Sequence, residues 1–96
     1  MPNQPHSHRY GGETSYDAGH VHEYMGQTST NRDEEGHIHY FEGVTSFADG
    51  HIHYYNDSTG PAIYFNGGHY HNYRGRTMIA DRHTHLYSGR TSVFRE

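Results

Sequence analysis

Aromatic and β-branched residues recur along this chain at period two, between short clusters of Gly, Asp, Asn, Ser and Thr. No stretch carries the period of an amphipathic helix, so the pattern predicts short strands and an all-β fold. The pattern also repeats. Counted from the first histidine of each His-x-His pair, position +4 is aromatic in every copy: Tyr10, Tyr24, Phe41, Tyr55, Tyr73 and Tyr87. Position +6 is Gly12, Gly26, Gly43, Gly75 and Gly89, with Asp57 as the exception. Position +8 is always Thr (Thr14, Thr28, Thr45, Thr59, Thr77, Thr91), and +9 is Ser15, Ser29, Ser46 and Ser92, with Gly60 and Met78 departing.

The pairs begin at residues 6, 20, 37, 51, 69 and 83, in steps of 14, 17, 14, 18 and 14. Short and long steps alternate, which defines a higher unit of two pairs and 31 to 32 residues. Three such units, about 6–36, 37–68 and 69–96, fill a single β-repeat domain spanning 1–96. The long steps absorb insertions at 30–35 and 58–61. A recurrent x-Gly step at +5 and +6 reads as a two-residue hairpin turn. That turn would set +4 opposite +7 and +2 opposite +9, and give the sheet two unlike faces. One would carry the histidines, the aromatic and the Ser; the other would carry apolar residues (Val21, Ile38, Ile52, Phe47, Ile79, Val93) and the Thr. The expected architecture is six short hairpin-like repeats in an antiparallel, barrel-like meander. The alternative is a β-solenoid with one repeat per coil, stacking the pairs ~4.8 Å apart.

Composition sharpens the question of what holds such a chain together. Its 96 residues include only one Leu, four Ile and three Val, so the aliphatic core is thin. A chain this short rarely draws more than roughly 3–5 kcal/mol from its core alone. With no cysteine there are neither disulfides nor thiolate ligands, which leaves metal, self-association or both. The net charge of −4, with all seven basic residues Arg and no basic stripe, argues against nucleic acid. No apolar run is long enough to span a membrane. The start Met1-Pro2-Asn3-Gln4-Pro5 lacks the basic and apolar segments of a secretory signal, so a cytoplasmic place or leaderless export to a cell surface is expected.

The chemistry lies in the histidines. All twelve stand in His-x-His pairs: His6/His8, His20/His22, His37/His39, His51/His53, His69/His71 and His83/His85. Residues i and i+2 of a strand project to the same side ~6.5–7 Å apart, close enough for two imidazoles to converge on one ion. Two pairs suit tetrahedral zinc or tetragonal copper or nickel, and three pairs could supply six nitrogens to an octahedral ion such as iron. The expectation is a few multi-histidine sites, one for each two-pair unit or completed between subunits. No carboxylate recurs at a fixed offset from the pairs to act as a general base, so no enzyme activity is expected.

The repeated pattern His-x-His-x-Tyr-x-Gly-x-Thr-Ser, clearest at His20–Ser29, His37–Ser46 and Gly50–Tyr55, resembles the YmaF family. The resemblance covers nearly the whole chain and implies a small bacterial protein, but no particular activity. A looser similarity, of chemistry alone, is to viral fibre tips whose His-x-His pairs from three chains bind iron. The residues therefore support a histidine-rich, metal-binding repeat protein in which transition ions cross-link the strands. The rival is a self-assembling structural protein, a fibre or surface-layer subunit partnered with itself, whose His and Tyr serve as subunit contacts. Strand edges unprotected by lysine favour that rival.

Overall fold

The computed structural model describes residues 4–95; the expected leader-free start falls partly on residues 1–3, outside them. Every regular element is a strand: β1 (Arg9–Glu13), β2 (Glu23–Gln27), β3 (Tyr40–Val44), β4 (Tyr54–Ser58), β5 (Ala62–Phe65), β6 (Gly68–Arg76), β7 (Leu86–Arg90) and β8 (Phe94–Arg95). β1 pairs with β2, β3 with β4 and β6 with β7, each antiparallel; β5 and β8 also pair with β6. The result is an antiparallel all-β rod of 45 × 20 × 17 Å, neither a closed barrel nor a stack of solenoid coils. No helix among the described residues is long and apolar enough to cross a membrane.

The hairpin turns lie elsewhere than the x-Gly steps. Those steps are inside strands, and each hairpin joins one repeat to the next: Tyr10 faces Gly26, and Gly12 faces Tyr24. The turns are at Ala18-Gly19, Asp49-Gly50 and Asp81-Arg82, closed by the bridges Asp17–His20, Ala48–His51 and Ala80–His83. Both central residues of each have positive φ, from 51° to 86°, as in type I′ hairpins. The +6 glycines answer a packing need instead. A Cβ on Gly26, Gly43 or Gly75 would stand 2.5 Å from the hydroxyl of the tyrosine opposite. Asp57 is allowed where the facing residue is Phe41, which carries no hydroxyl. One departure from the repeat thus explains another.

The three hairpins close on each other around the long axis. Ser29 and Ser46 amides donate to Tyr40 and Glu23, Gly60 and Met78 amides to Asn72 and Tyr54, and Ser15 and Ser92 amides to Leu86 and Arg9. Each bond joins one hairpin to its neighbour, so the set runs round the axis as a ring. The middle of the rod is filled by Tyr10, Tyr24, Phe41, Tyr55, Tyr73 and Tyr87, all buried. The two faces expected for the sheet are therefore inside out with respect to hydropathy. The histidine–tyrosine face is the core, whereas Tyr16, Phe47 and Ile79 are 73–77% exposed. The six +8 threonines, expected on the apolar face, are buried. Each accepts the amide N–H of the second histidine of the paired repeat, as Thr28 does from His8 at 3.0 Å and Thr14 from His22 at 3.0 Å.

The aromatic core contains one polar mismatch. Tyr10 and Tyr55 hydroxyls bond each other at 2.9 Å, and Tyr24 and Tyr73 at 3.0 Å, but Tyr87 has Phe41 in its neighbourhood and its buried hydroxyl makes no hydrogen bond. Removing a bonded partner strands the other group, whereas removing an unpartnered hydroxyl removes a cost. Tyr10→Phe should therefore destabilise by about 1–3 kcal/mol, and Tyr87→Phe should be neutral or stabilising. Urea unfolding of both variants at equal metal content checks the order; equal losses would contradict it.

Candidate metal centres

The hairpin geometry carries the histidines to the two ends of the aromatic core. His20/His22, His51/His53 and His83/His85 lie in the connections between paired strands, at the end formed by the type I′ turns. His6/His8 and His37/His39 precede β1 and β3, and His69/His71 lie in β6; these gather at the opposite end. All twelve candidate ligands are thus brought into two clusters of six, within each of which the nearest ligand atoms all lie within 4.8 Å of one another. We call His6, His8, His37, His39, His69 and His71 centre A, and His20, His22, His51, His53, His83 and His85 centre B. The expectation of one site for each two-pair unit does not hold. Each unit gives one pair to each end, because an antiparallel hairpin sends its successive pairs in opposite directions.

The arrangement is octahedral. In centre A each imidazole has its ring centroid 4.6–5.2 Å from every other ring but one. The excepted pairs, His6/His71, His8/His37 and His39/His69, stand across the centre from each other. Centre B repeats this at 4.8–5.0 Å, with His20/His53, His22/His83 and His51/His85 opposed. The first members of the pairs (His6, His37, His69 or His20, His51, His83) form one triangular face, turned outward. The second members form the face against the tyrosines.

Backbone carbonyls set the tautomers. In centre B, Nδ1 of His20, His22, His51, His53, His83 and His85 lies 2.8–3.2 Å from the carbonyls of Ala18, Ser46, Asp49, Met78, Asp81 and Ser15. In centre A, Nδ1 of His6, His8, His37, His39 and His71 lies 2.7–3.0 Å from the carbonyls of Gln4, Ser92, Glu34, Ser29 and Gly60. A carbonyl only accepts, so these Nδ1 atoms carry the proton and their Nε2 atoms carry lone pairs. For the second histidine of each pair the +9 carbonyl does this work, so Gly60 and Met78 serve as well as Ser. What those two positions lose is the Oγ that elsewhere accepts a strand amide, as Ser46 does from Glu23 at 2.9 Å.

Neighbouring Nε2 atoms stand 3.0–3.3 Å apart, which with Nδ1 protonated is lone pair facing lone pair. Protonating the rings instead would set like charges together in a buried site. Burial, with neighbouring histidines adding to it, lowers the pKa of His8, His22 and His53, and takes His39 and His69 to about 4 and His71 to about 3. The six nitrogens of each centre could hold a metal ion.

The sequence pattern does not single out Asp33, which falls in the insertion at 30–35. It is buried, with Oδ1 3.6 Å from Nδ1 of His37 and 3.9 Å from that of His69. Only the cluster geometry reveals it, since no other repeat carries an equivalent acid.

Residues 29–93 match the family model described as spore germination protein GerY/YamF. The chain belongs to the YmaF family. The matched span holds two of the three histidine pairs of each cluster. No curated protein and no solved structure matches the chain.

Below the ordinary value of 6.5 and down to about 3–4, the unfolded chain binds protons at His39, His69 and His71 that the folded chain does not. The stability of the metal-free protein is therefore fully present above pH 6.5 and is lost as pH falls through that window. Urea midpoints between pH 8 and pH 4 should decline on the acid side, and a flat profile would contradict the buried, neutral state of these rings.

Proposed function

We propose that this YmaF protein is a non-enzymatic metal-binding protein that holds one divalent transition ion in each six-histidine centre. The observation that carries this reading is the convergence of Nε2 lone pairs, eleven of the twelve aimed by a backbone carbonyl on the far side of the ring. Outer partners of this kind fix ring orientation and raise the basicity of a ligating imidazole. Satisfied structural histidines would place a donor against each acceptor; here acceptor meets acceptor, and a cation at the centroid removes the repulsion.

Octahedral geometry with neighbouring nitrogens 3.0–3.3 Å apart puts that cation about 2.1–2.3 Å from each nitrogen. This suits six-coordinate iron(II), cobalt(II) or nickel(II) better than tetrahedral zinc or tetragonal copper(II). Six imidazoles leave no coordination position for substrate or water, which supports a role without catalysis. The ion instead joins three hairpins that share little aliphatic core. The family's description gives the setting, spore germination, and we place the chain there as an ion-holding component.

Elemental analysis of protein prepared without a metal-affinity column should give two ions per chain, one for each cluster. Stripping them with a chelator should lower Tm by tens of degrees, because metal binding to the folded state alone adds its free energy to folding. Folded protein that takes up none of iron, cobalt, nickel, zinc or copper would overturn the reading.

One observation favours self-assembly as a second reading. β5 pairs only with β6 among the described residues, and Ile63, Tyr64 and Phe65 on it are exposed. An apolar strand edge of this kind templates pairing with another copy. Sedimentation should then find a species heavier than the monomer that Tyr64→Lys returns to monomer; a monomer at all concentrations would remove this reading.

A further inference from the structure

The two centres have the same ligands but unlike surroundings. Centre A is lidded. The ring of Phe94 stacks on His6 at 4.4 Å, the ring of Tyr64 lies 5.4 Å from His69, and the buried Asp33 sits beneath His37 and His69. These lids come from what the repeat does not contain: the insertion at 30–35, strand β5 and strand β8. The outward histidines of centre A are correspondingly closed off, with side chains 0–5% exposed at His69 and His37.

Among the described residues centre B has no such cover. Its outward triangle lies under three tight turns, and His20 and His51 side chains are 10–11% exposed. Each turn contributes an aspartate to a ring of the neighbouring hairpin. Asp49 is 3.3 Å from His20 Nδ1, Asp81 3.5 Å from His51 Nδ1 and Asp17 3.5 Å from His85 Nδ1. These carboxylates are 46–63% exposed, so they stand between solvent and the rings of centre B.

We infer that centre B is an exchange site, which takes up and releases a divalent transition ion through its aspartate-ringed outer face, while centre A keeps its ion as a permanent fixture. The inference rests on the metal-binding reading and deepens it. Two physical effects separate the centres. A ligand can leave an ion only if its ring swings out or water enters, and at centre A the stacked Phe94 and the covering strands oppose both. Charge acts in the same direction. An ion in six neutral imidazoles is a buried dication, and burying charge without compensation is costly. Asp33 offers centre A a buried countercharge close to two of its rings, whereas the aspartates of centre B are screened by water. They still raise the local concentration of cations at the mouth of the site, which speeds uptake.

The test uses nickel(II) as probe. Protein loaded to two equivalents is mixed with excess EDTA, and released metal is followed by stopped-flow absorbance and by elemental analysis of desalted samples. Release should be biphasic, with one equivalent leaving at least tenfold faster than the other. Asp33→Asn combined with Phe94→Ala should accelerate only the slow equivalent, and Asp17→Asn, Asp49→Asn and Asp81→Asn together should slow uptake of only the fast one, most at low ionic strength. His20→Ala with His51→Ala should abolish the fast equivalent and keep the slow one. Two equivalents lost in a single phase, or a fast phase that survives the histidine substitutions, would overturn the inference while leaving metal binding intact. Failure to take up nickel(II) or any other transition ion would overturn both.

Discussion

The fold depends on one repeated hydrogen bond, from an imidazole Nδ1 to a backbone carbonyl. It is local for the first histidine of most pairs and long-range for the second: His8 reaches Ser92, His85 reaches Ser15, and His39 reaches Ser29. The local bond orients a ring on its own turn. The long-range bond ties one hairpin to the next and aims a lone pair at the axis in the same act. Structural closure and ligand placement are therefore the same set of bonds. Loss of either would disturb both, so the repeat has little freedom at these positions.

This explains why a protein with so few aliphatic residues has a definite interior. Its layers along the rod are histidine, aromatic, histidine, with threonine hydroxyls satisfying the amides between them. Each +8 Thr accepts from a histidine N–H, and all but Thr77 donate to the carbonyl of the next residue, as Thr14 does to Ser15 at 3.1 Å. A buried polar group is tolerable when its partners are complete, and here they are complete in nearly every copy. In the aromatic layer Tyr87 is the exception, traceable to the single Phe in that series. The long stretch of apolar side chains on the outside, Tyr16, Phe47 and Ile79 among them, follows from the same choice. Period two allows only one face inward, and the face with the imidazoles has it.

Much of this was legible in the residues. The all-β class followed from period two. That the two histidines of a pair would project together followed from the rule that i and i+2 share a side. The turn position was not legible. Gly is the usual sign of positive φ, and the +6 glycines were read that way, but they serve the hydroxyls of Tyr10, Tyr55 and Tyr87. Meanwhile Ala18, Asp49, Asp81 and Arg82 take positive φ without being glycine. A one-dimensional pattern cannot distinguish a glycine that frees the backbone from one that makes room for a distant side chain. Misplacing the turn also misplaced the sites. With a hairpin inside each repeat, both pairs of a unit would lie at one end; with a hairpin between repeats, they part.

The regular steps and the long ones have different physical roles, and this bears on why three units share one chain. A trimer of identical chains could build the same octahedron, but every insertion would then appear in all three subunits. A single chain can place Asp33 once, β5 once and Phe94 once. The 14-residue steps run through the type I′ turns and admit no such variation, because a two-residue turn has no spare backbone. The insertions are therefore confined to the end where the chain crosses from one unit to the next. Covalent linkage of the units is what permits two centres with identical ligands to have different surroundings, and the alternation of step lengths in the sequence is the visible mark of it.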